Sequence, residues 1–227
     1  MAMDSDHERA AREAAQALLA DATAAPVRDT PTLRALRRAR SAEWRGRPAG
    51  FIIGVARELQ RRRACRWLGY ELIRHHRPAF GQLDDRSLGE LAVGLDSWDV
   101  VDGFARILSG PAWAQGLASD ALIDRWARSA DRWLRRTALV STVALNTPAD
   151  GGRGDPDRTL ALCRRLAGDR DDMVVKALSW ALRALAVRDA AAVRRFLAAE
   201  DPSLAARVKR EVRSKLETGL KNPRRIG

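Results

Sequence analysis

The residues with the most chemical potential in this chain lie in Ser97-Trp98-Asp99-Val100-Val101-Asp102, which opens a helix continuing through Phe104, Ile107 and Leu108. At 3.6 residues per turn, Val100, Val101, Phe104, Ala105, Ile107 and Leu108 form one broad buried arc with Trp98 on its edge. Asp102 follows Trp98 by one turn and Arg106 follows Asp102 by another, so an indole, a carboxylate and a guanidinium share one border. The rim of a hydrophobic core with a solvated acid looks the same. The rest of the chain has to separate the two readings.

Two further helices carry candidates. From Trp133 to Leu145 the chain is apolar almost all the way round, with Arg135 and Thr142 in a narrow polar gap, which predicts a buried helix and a solvated Arg135. Arg136 falls instead between Val140 and Val143. A guanidinium there needs an anion or several acceptors, because an unpaired buried charge costs several kcal/mol. The anion is either an acid on the next helix pair or a phosphate at the floor of a groove. The helix from Met173 to Val187 has a core stripe of Leu178, Ala181, Leu182 and Leu185, with Trp180 on the other flank near Lys176 and Arg183. That is either a half-buried tryptophan under snorkelling cations or a ring that meets a ligand.

The elements that must position these residues all read as helices. An amphipathic helix over Asp4 to Ala22 is broken by Pro26, and Thr30 with Pro31 caps the next, through Arg40. Helices are expected from about Phe51 to Arg63 and Ala64 to His76, with Pro78 and Gly81 closing the second, and Asp85 opens a short one to Gly94. The Trp98 helix is expected to stop at Gly110-Pro111. Further helices follow over about Gln115–Arg128, Asp131–Leu145, Asp155 to Leu166, Asp172–Val187, Ala190–Ala199 and Leu204–Leu220, before a basic tail over about 217–227. No run of period two rich in Val, Ile and Thr occurs, so the fold class is all-α. About six helix pairs of roughly 35 to 45 residues match helical-hairpin solenoid repeats of the HEAT or armadillo kind, here one domain over 1–227, with an irregular bundle as the alternative. In a solenoid the second helices of successive pairs line one concave face, so Trp98, Asp102, Arg136 and Trp180 can converge on one groove.

Composition narrows the partner. The 227 residues carry a formal charge of +12, with four lysines against 37 arginines, and such an excess calls for an anionic partner. Arg207, Lys209, Arg210, Lys215, Lys221 and Arg213 near the C-terminus, with Arg224 and Arg225, could clamp a nucleic-acid backbone. Cys65 and Cys163 lie far apart, which suggests reduced thiols rather than a disulfide frame, and with His7, His75 and His76 they offer no zinc spacing. Neither a signal peptide nor an 18-residue apolar span is visible, so the expected location is the cytoplasm, nucleoid-associated, with no membrane contact. No metal or cofactor is implied. A groove with cations for phosphates, two aromatics and one carboxylate suits nucleic acid with an anionic group at the reacting centre.

Over roughly Leu83 to Leu216 the chain resembles the HEAT-like-repeat DNA glycosylases of the AlkD type. The resemblance rests on Ser97-Trp98-Asp99-Val100-Val101-Asp102, on Arg125-Trp126-Ala127-Arg128-Ser129 leading into Trp133-Leu134-Arg135-Arg136-Thr137-Ala138, and on Lys176-Ala177-Leu178-Ser179-Trp180-Ala181-Leu182-Arg183. The first 80 residues show no such match. The resemblance implies an enzyme that hydrolyses the N-glycosidic bond of cationic N3- and N7-alkylated purines in duplex DNA; with no lysine but Lys176 in the cluster a monofunctional one is expected, and a monomer is the default. Bulky adducts would be accepted, because the base is not flipped into a pocket. It assigns Asp102 to stabilising an oxocarbenium-like sugar and positioning water, Trp98 and Trp180 to the deoxyribose, and Arg136 to a backbone phosphate. Lys176, Arg183, Arg106, Arg207, Lys209, Arg210 and Arg213 are the expected DNA contacts. The alternatives are a non-catalytic HEAT-repeat protein that binds distorted or branched DNA, and a HEAT scaffold for an acidic protein.

Overall fold

The computed structural model describes residues 2–25, 29–62 and 65–222, and its regular elements are all helical, with no strand among the described residues. Pro26, Arg63, Arg224 and Arg225 of the sequence reading lie outside them. The chain divides into two compact units, residues 1–93 and 94–227. No helix among the described residues is long and apolar enough to cross a membrane.

The first unit contains α1 (Ala2–Ala24), α2 (Thr30–Glu43), α3 (Ala49–Gln60), α4 (Arg66–His75), α5 (Arg77–Gly81) and α6 (Asp85–Leu91). Its centre is α3, whose Phe51, Ile52, Val55, Ala56 and Leu59 are buried against α1, α4 and α5. Gly69 permits the α3–α4 crossing, since a Cβ there would stand 3.0 Å from Ala56 Cα. Two local expectations change. Asp29, not Thr30, caps α2, its carboxylate accepting from the Thr32 N–H at 2.9 Å, because a charged acceptor one residue earlier also meets the positive end of the helix. Pro78 does not close α4. It sits in the first turn of α5, where a missing N–H costs nothing, and His76 Nδ1 caps that turn by accepting from Ala79 N–H.

The second unit contains α7 (Trp98–Phe104), a π-helical turn at Ala105–Ser109, α8 (Gly110–Ala114), α9 (Asp120–Ala127), α10 (Arg132–Asn146), a 3-10 turn at Pro148–Asp150, α11 (Pro156–Arg165), α12 (Asp172–Ala186), α13 (Ala190–Glu200) and α14 (Ala206–Thr218). Helices α8, α10, α12 and α14 pack in succession in one layer, and α9, α11 and α13 pack in another. This is HEAT-like stacking, each pair burying its apolar stripe against the next. Buried hydroxyls in α10 are satisfied locally: Thr137, Ser141 and Thr142 donate to carbonyls of their own helix, and Ser109 and Ser141 Oγ meet at 2.7 Å.

Gly110-Pro111 does not end the Trp98 helix. The π turn, in which Gly110 N–H reaches Ala105 O, carries the chain into α8 with Pro111 in the first turn, where no intrahelical donor is missed. Gly110 is required by proximity, since a Cβ would lie 2.7 Å from both Ser141 O and Ala144 Cβ. A π turn advances fewer degrees per residue than an α turn, so the arc drawn for an ideal helix shifts, and Ile107 is half-buried rather than core. The helix expected from Gln115 begins at Asp120. The preceding residues form a turn through Gly116, at φ +76°, and Ser119 Oγ caps α9 by accepting from Leu122 N–H.

Candidate active site

Within the second unit, Trp98 from α7, Arg136 from α10, Met173, Lys176, Trp180 and Arg183 from α12, and Lys221 beyond α14 line a cleft of about 260 Å³. Residues from three helices far apart in sequence reach it because α7 and α12 both pack on α10. Trp98, at the first turn of α7, is 58% exposed, an unusual state for a large apolar ring. Trp180 is half-buried on the flank of α12, away from the buried Ala177, Leu178, Ala181 and Leu182.

Arg136 is the structural centre. It is 5% exposed, and its Nε and Nη2 donate to Asp102 Oδ1 and Oδ2 at 2.9 and 2.8 Å, a bidentate pair. Its Nη1 donates to Met173 O at 2.6 Å. The guanidinium therefore finds its anion in an acid of the neighbouring helix. Its fork is directed at Asp102, whereas the resemblance assigned it to a backbone phosphate. Asp102, whose side chain is 17% exposed, is fixed in plane by this clamp. Burial raises its pKa above the ordinary aspartate value, an effect that the Arg136 hydrogen bonds and charge, together with Arg106, oppose but do not cancel.

Arg106 donates to Asp150 through Nε and Nη2 at 3.1 and 2.5 Å, and its guanidinium lies 5.6 Å from the Trp180 ring centroid. It makes a cation–π contact with the tryptophan while adding positive charge near Asp102. Gly152 holds the loop beyond Asp150 against α10, where a Cβ would stand 2.1 Å from Ala144 O. Below the cleft, Arg183 Nε donates to Ser179 Oγ at 3.2 Å, and Ser179 Oγ donates to the buried Glu211 at 2.7 Å. Burial lowers the Arg183 pKa, with Glu211 opposing. Lys176 pairs with Asp172 at 2.7 Å, which lowers the pKa of that aspartate, and stays partly exposed.

Arg135 is not solvated. Its side chain is 19% exposed, with Nε donating to Asp169 at 2.7 Å and Nη1 to the carbonyls of Ser129 and Ala130. Thr142 is fully buried. The polar gap of α10 faces the turn carbonyls and the next pair, not water. The C-terminal cations also divide. Arg207 pairs with Asp172, whereas Lys209 and Arg213 both pair with Asp201, and Arg210 is exposed. Lys221 escaped notice as a cleft residue, and no helical spacing could have revealed it. The chain turns back at Gly219, at φ +74°, which brings Lys221 Nζ to 3.7 Å from Glu211.

One signal in the sequence was available and unread. Ser129-Ala130-Asp131 and Asp169-Arg170-Asp171 are 40 residues apart, and in each the last aspartate caps a helix while the first side chain accepts from its N–H. The same offset makes Arg136 and Lys176 equivalent, two cations at one level of successive repeats.

Comparison with known families adds a match to the DNA alkylation repair enzyme family over residues 29–216. Comparisons with curated proteins and with solved structures give no match. The family match starts some 50 residues before Leu83, where the resemblance begins, so α2 to α6 belong to the shared pattern although no single residue there announces it. Covering most of the chain, it shows that this protein belongs to the DNA alkylation repair enzyme family.

Proposed function

We propose that the cleft excises cationic N3- and N7-alkylated purines from duplex DNA by hydrolysing the N-glycosidic bond. The observation that carries this reading is a carboxylate, Asp102, held in plane by Arg136 beside a cleft walled by Trp98 and Trp180 and edged by Lys176, Arg183 and Lys221. Trp98 and Trp180 pack against the deoxyribose of the lesion, and the lysines meet flanking phosphates. As the C1′–N bond breaks, its electron pair goes to the base and neutralises it, so no acid is needed at the leaving group. The sugar becomes oxocarbenium-like, and Asp102 stabilises that charge and orients the water whose oxygen attacks C1′, the water's proton passing by way of the carboxylate to solvent.

Magnitudes support the role. An anion about 4 Å from a developing cation is worth about 4 kcal/mol at an effective dielectric of about 20, or roughly a thousandfold in rate. As the bond breaks, the positive charge moves from the base to the sugar and so towards the buried Asp102 carboxylate, which makes the interaction stronger in the transition state than in the ground state. Arg136 acts as a positioning residue. The lesion needs no deep pocket, since a cleft this open meets the sugar rather than enclosing the base, and an adducted base can remain in the stack.

The engagement of both Asp102 oxygens by Arg136 favours one competitor, a protein that binds damaged or distorted duplex without cleaving it. Chromatography of a duplex carrying a single 7-methylguanine separates the two. The proposal expects free 7-methylguanine and a heat-labile abasic strand. A shifted, intact duplex with no released base, from this lesion, from 3-methyladenine and from a bulky N7 adduct, supports the binder.

A further inference from the structure

The first unit contains a second cleft, about 410 Å³, between the C-terminal half of α2 and the α4–α5 junction. Arg37, Arg38, Arg45 and Arg77 line it with His75 and His76, and no carboxylate does. Glu71 stands at its edge, 3.4 Å from Arg37 Nε and 3.3 Å from His75 Nε2. Arg38, Arg45 and Arg77 are exposed, and among the described residues no acid pairs with them. One buried donor here has no partner among the described residues, His76 Nε2; Arg37 Nε makes no hydrogen bond either, but it is ion-paired with Glu71. His76 is 8% exposed, and its Nδ1 accepts from Ala79 N–H at 3.1 Å, so the ring hydrogen belongs on Nε2. A buried N–H with nothing to donate to, in a cleft lined by four guanidiniums, lacks an acceptor from outside the chain.

We propose that this cleft binds a phosphate group. A carboxylate is planar and is satisfied by one guanidinium fork, whereas donors arriving from both α2 and the α4–α5 junction suit a tetrahedral anion with several free oxygens. The phosphate has two possible sources, a diester of the duplex backbone or a free nucleotide, and only the first rests on the chain's acting on DNA.

The test uses the full chain, an Arg38→Gln/Arg77→Gln variant, and Arg61→Gln/Arg86→Gln as a charge-matched control whose side chains are 75% and 87% exposed. Binding of an undamaged fluorescent duplex is measured across a salt series, and the His76 imidazole is followed by NMR. If the backbone fills the cleft, the slope of log K against log salt becomes shallower by about one unit in the double variant and not in the control. Duplex also shifts the His76 signal. If duplex does neither, but millimolar inorganic phosphate shifts the His76 signal in the wild type and not in the double variant, the occupant is a small phosphate. The proposal is overturned if neither probe moves His76, or if the control loses as much slope as the double variant. Base release is scored separately on damaged duplex, so a wild type that binds through this cleft and releases nothing sinks the catalytic reading alone.

Discussion

At the scale of single residues, the Asp102–Arg136 pair carries the proposed chemistry, and its burial makes it sensitive. Breaking a buried pair by removing one partner typically costs about 3–5 kcal/mol. Arg136→Ala should accordingly lower the urea midpoint of the second unit as well as base release, and Arg136→Lys, which keeps charge but not the fork, should recover stability more than rate. The raised Asp102 pKa has a sign that can be checked. A carboxylate that protonates more readily in the folded protein loses its anion earlier as the pH falls. The acid limb of single-turnover base release should therefore lie above the ordinary aspartate value near 4, and move higher still in Arg136→Lys; a limb below that value would mean that Asp102 is not the group responsible. These two residues were readable from sequence as candidates, Arg136 because it breaks the apolar pattern of its helix and Asp102 because it stands one turn from Trp98 on the border of another. That Arg136 meets an acid was one of two open readings, but the acid was expected on the next helix pair and stands on the preceding α7, since spacing along one helix says nothing of which acid stands opposite.

At the scale of elements, the π turn at Ala105–Ser109 and α7 both pack on α10. Gly110→Ala places a methyl 2.7 Å from the carbonyl of Ser141 and from Ala144 Cβ, neither of which is a flexible side-chain end. Overpacking of this kind typically costs about 1–3 kcal/mol. The variant should melt several degrees lower, and its base release should fall, whereas Gly89→Ala, which meets nothing within 4 Å, should do neither. Helix identities were legible from periodicity and breakers because those depend on local chemistry. The stop assigned to Gly110-Pro111 failed because proline is harmless in a first turn and the glycine answers to tertiary contact. Arg135 failed for a related reason: a helical wheel shows a gap, but not that turn carbonyls and Asp169 fill it.

At the scale of the whole molecule, the charge of +12 overstates the number of free cations. Many arginines hold one helix pair to the next, as in Arg165 with Asp124, Arg164 with Glu200 and Arg207 with Asp172. What remains unpaired is still enough to make association with duplex fall steeply between about 50 and 200 mM salt, by orders of magnitude if six or more phosphates are met. A salt-insensitive association would favour a protein partner instead. Sequence charge alone predicted the sign of the partner, and pairing in the fold decides which cations are available to it.

The most direct measurement is single-turnover release of 7-methylguanine by the wild type and Asp102→Asn, with circular dichroism and duplex binding confirming that both are folded and saturated. The account predicts release by the wild type and a loss of a hundredfold or more in the variant, about 3 kcal/mol of barrier. Equal rates in the two proteins would contradict it.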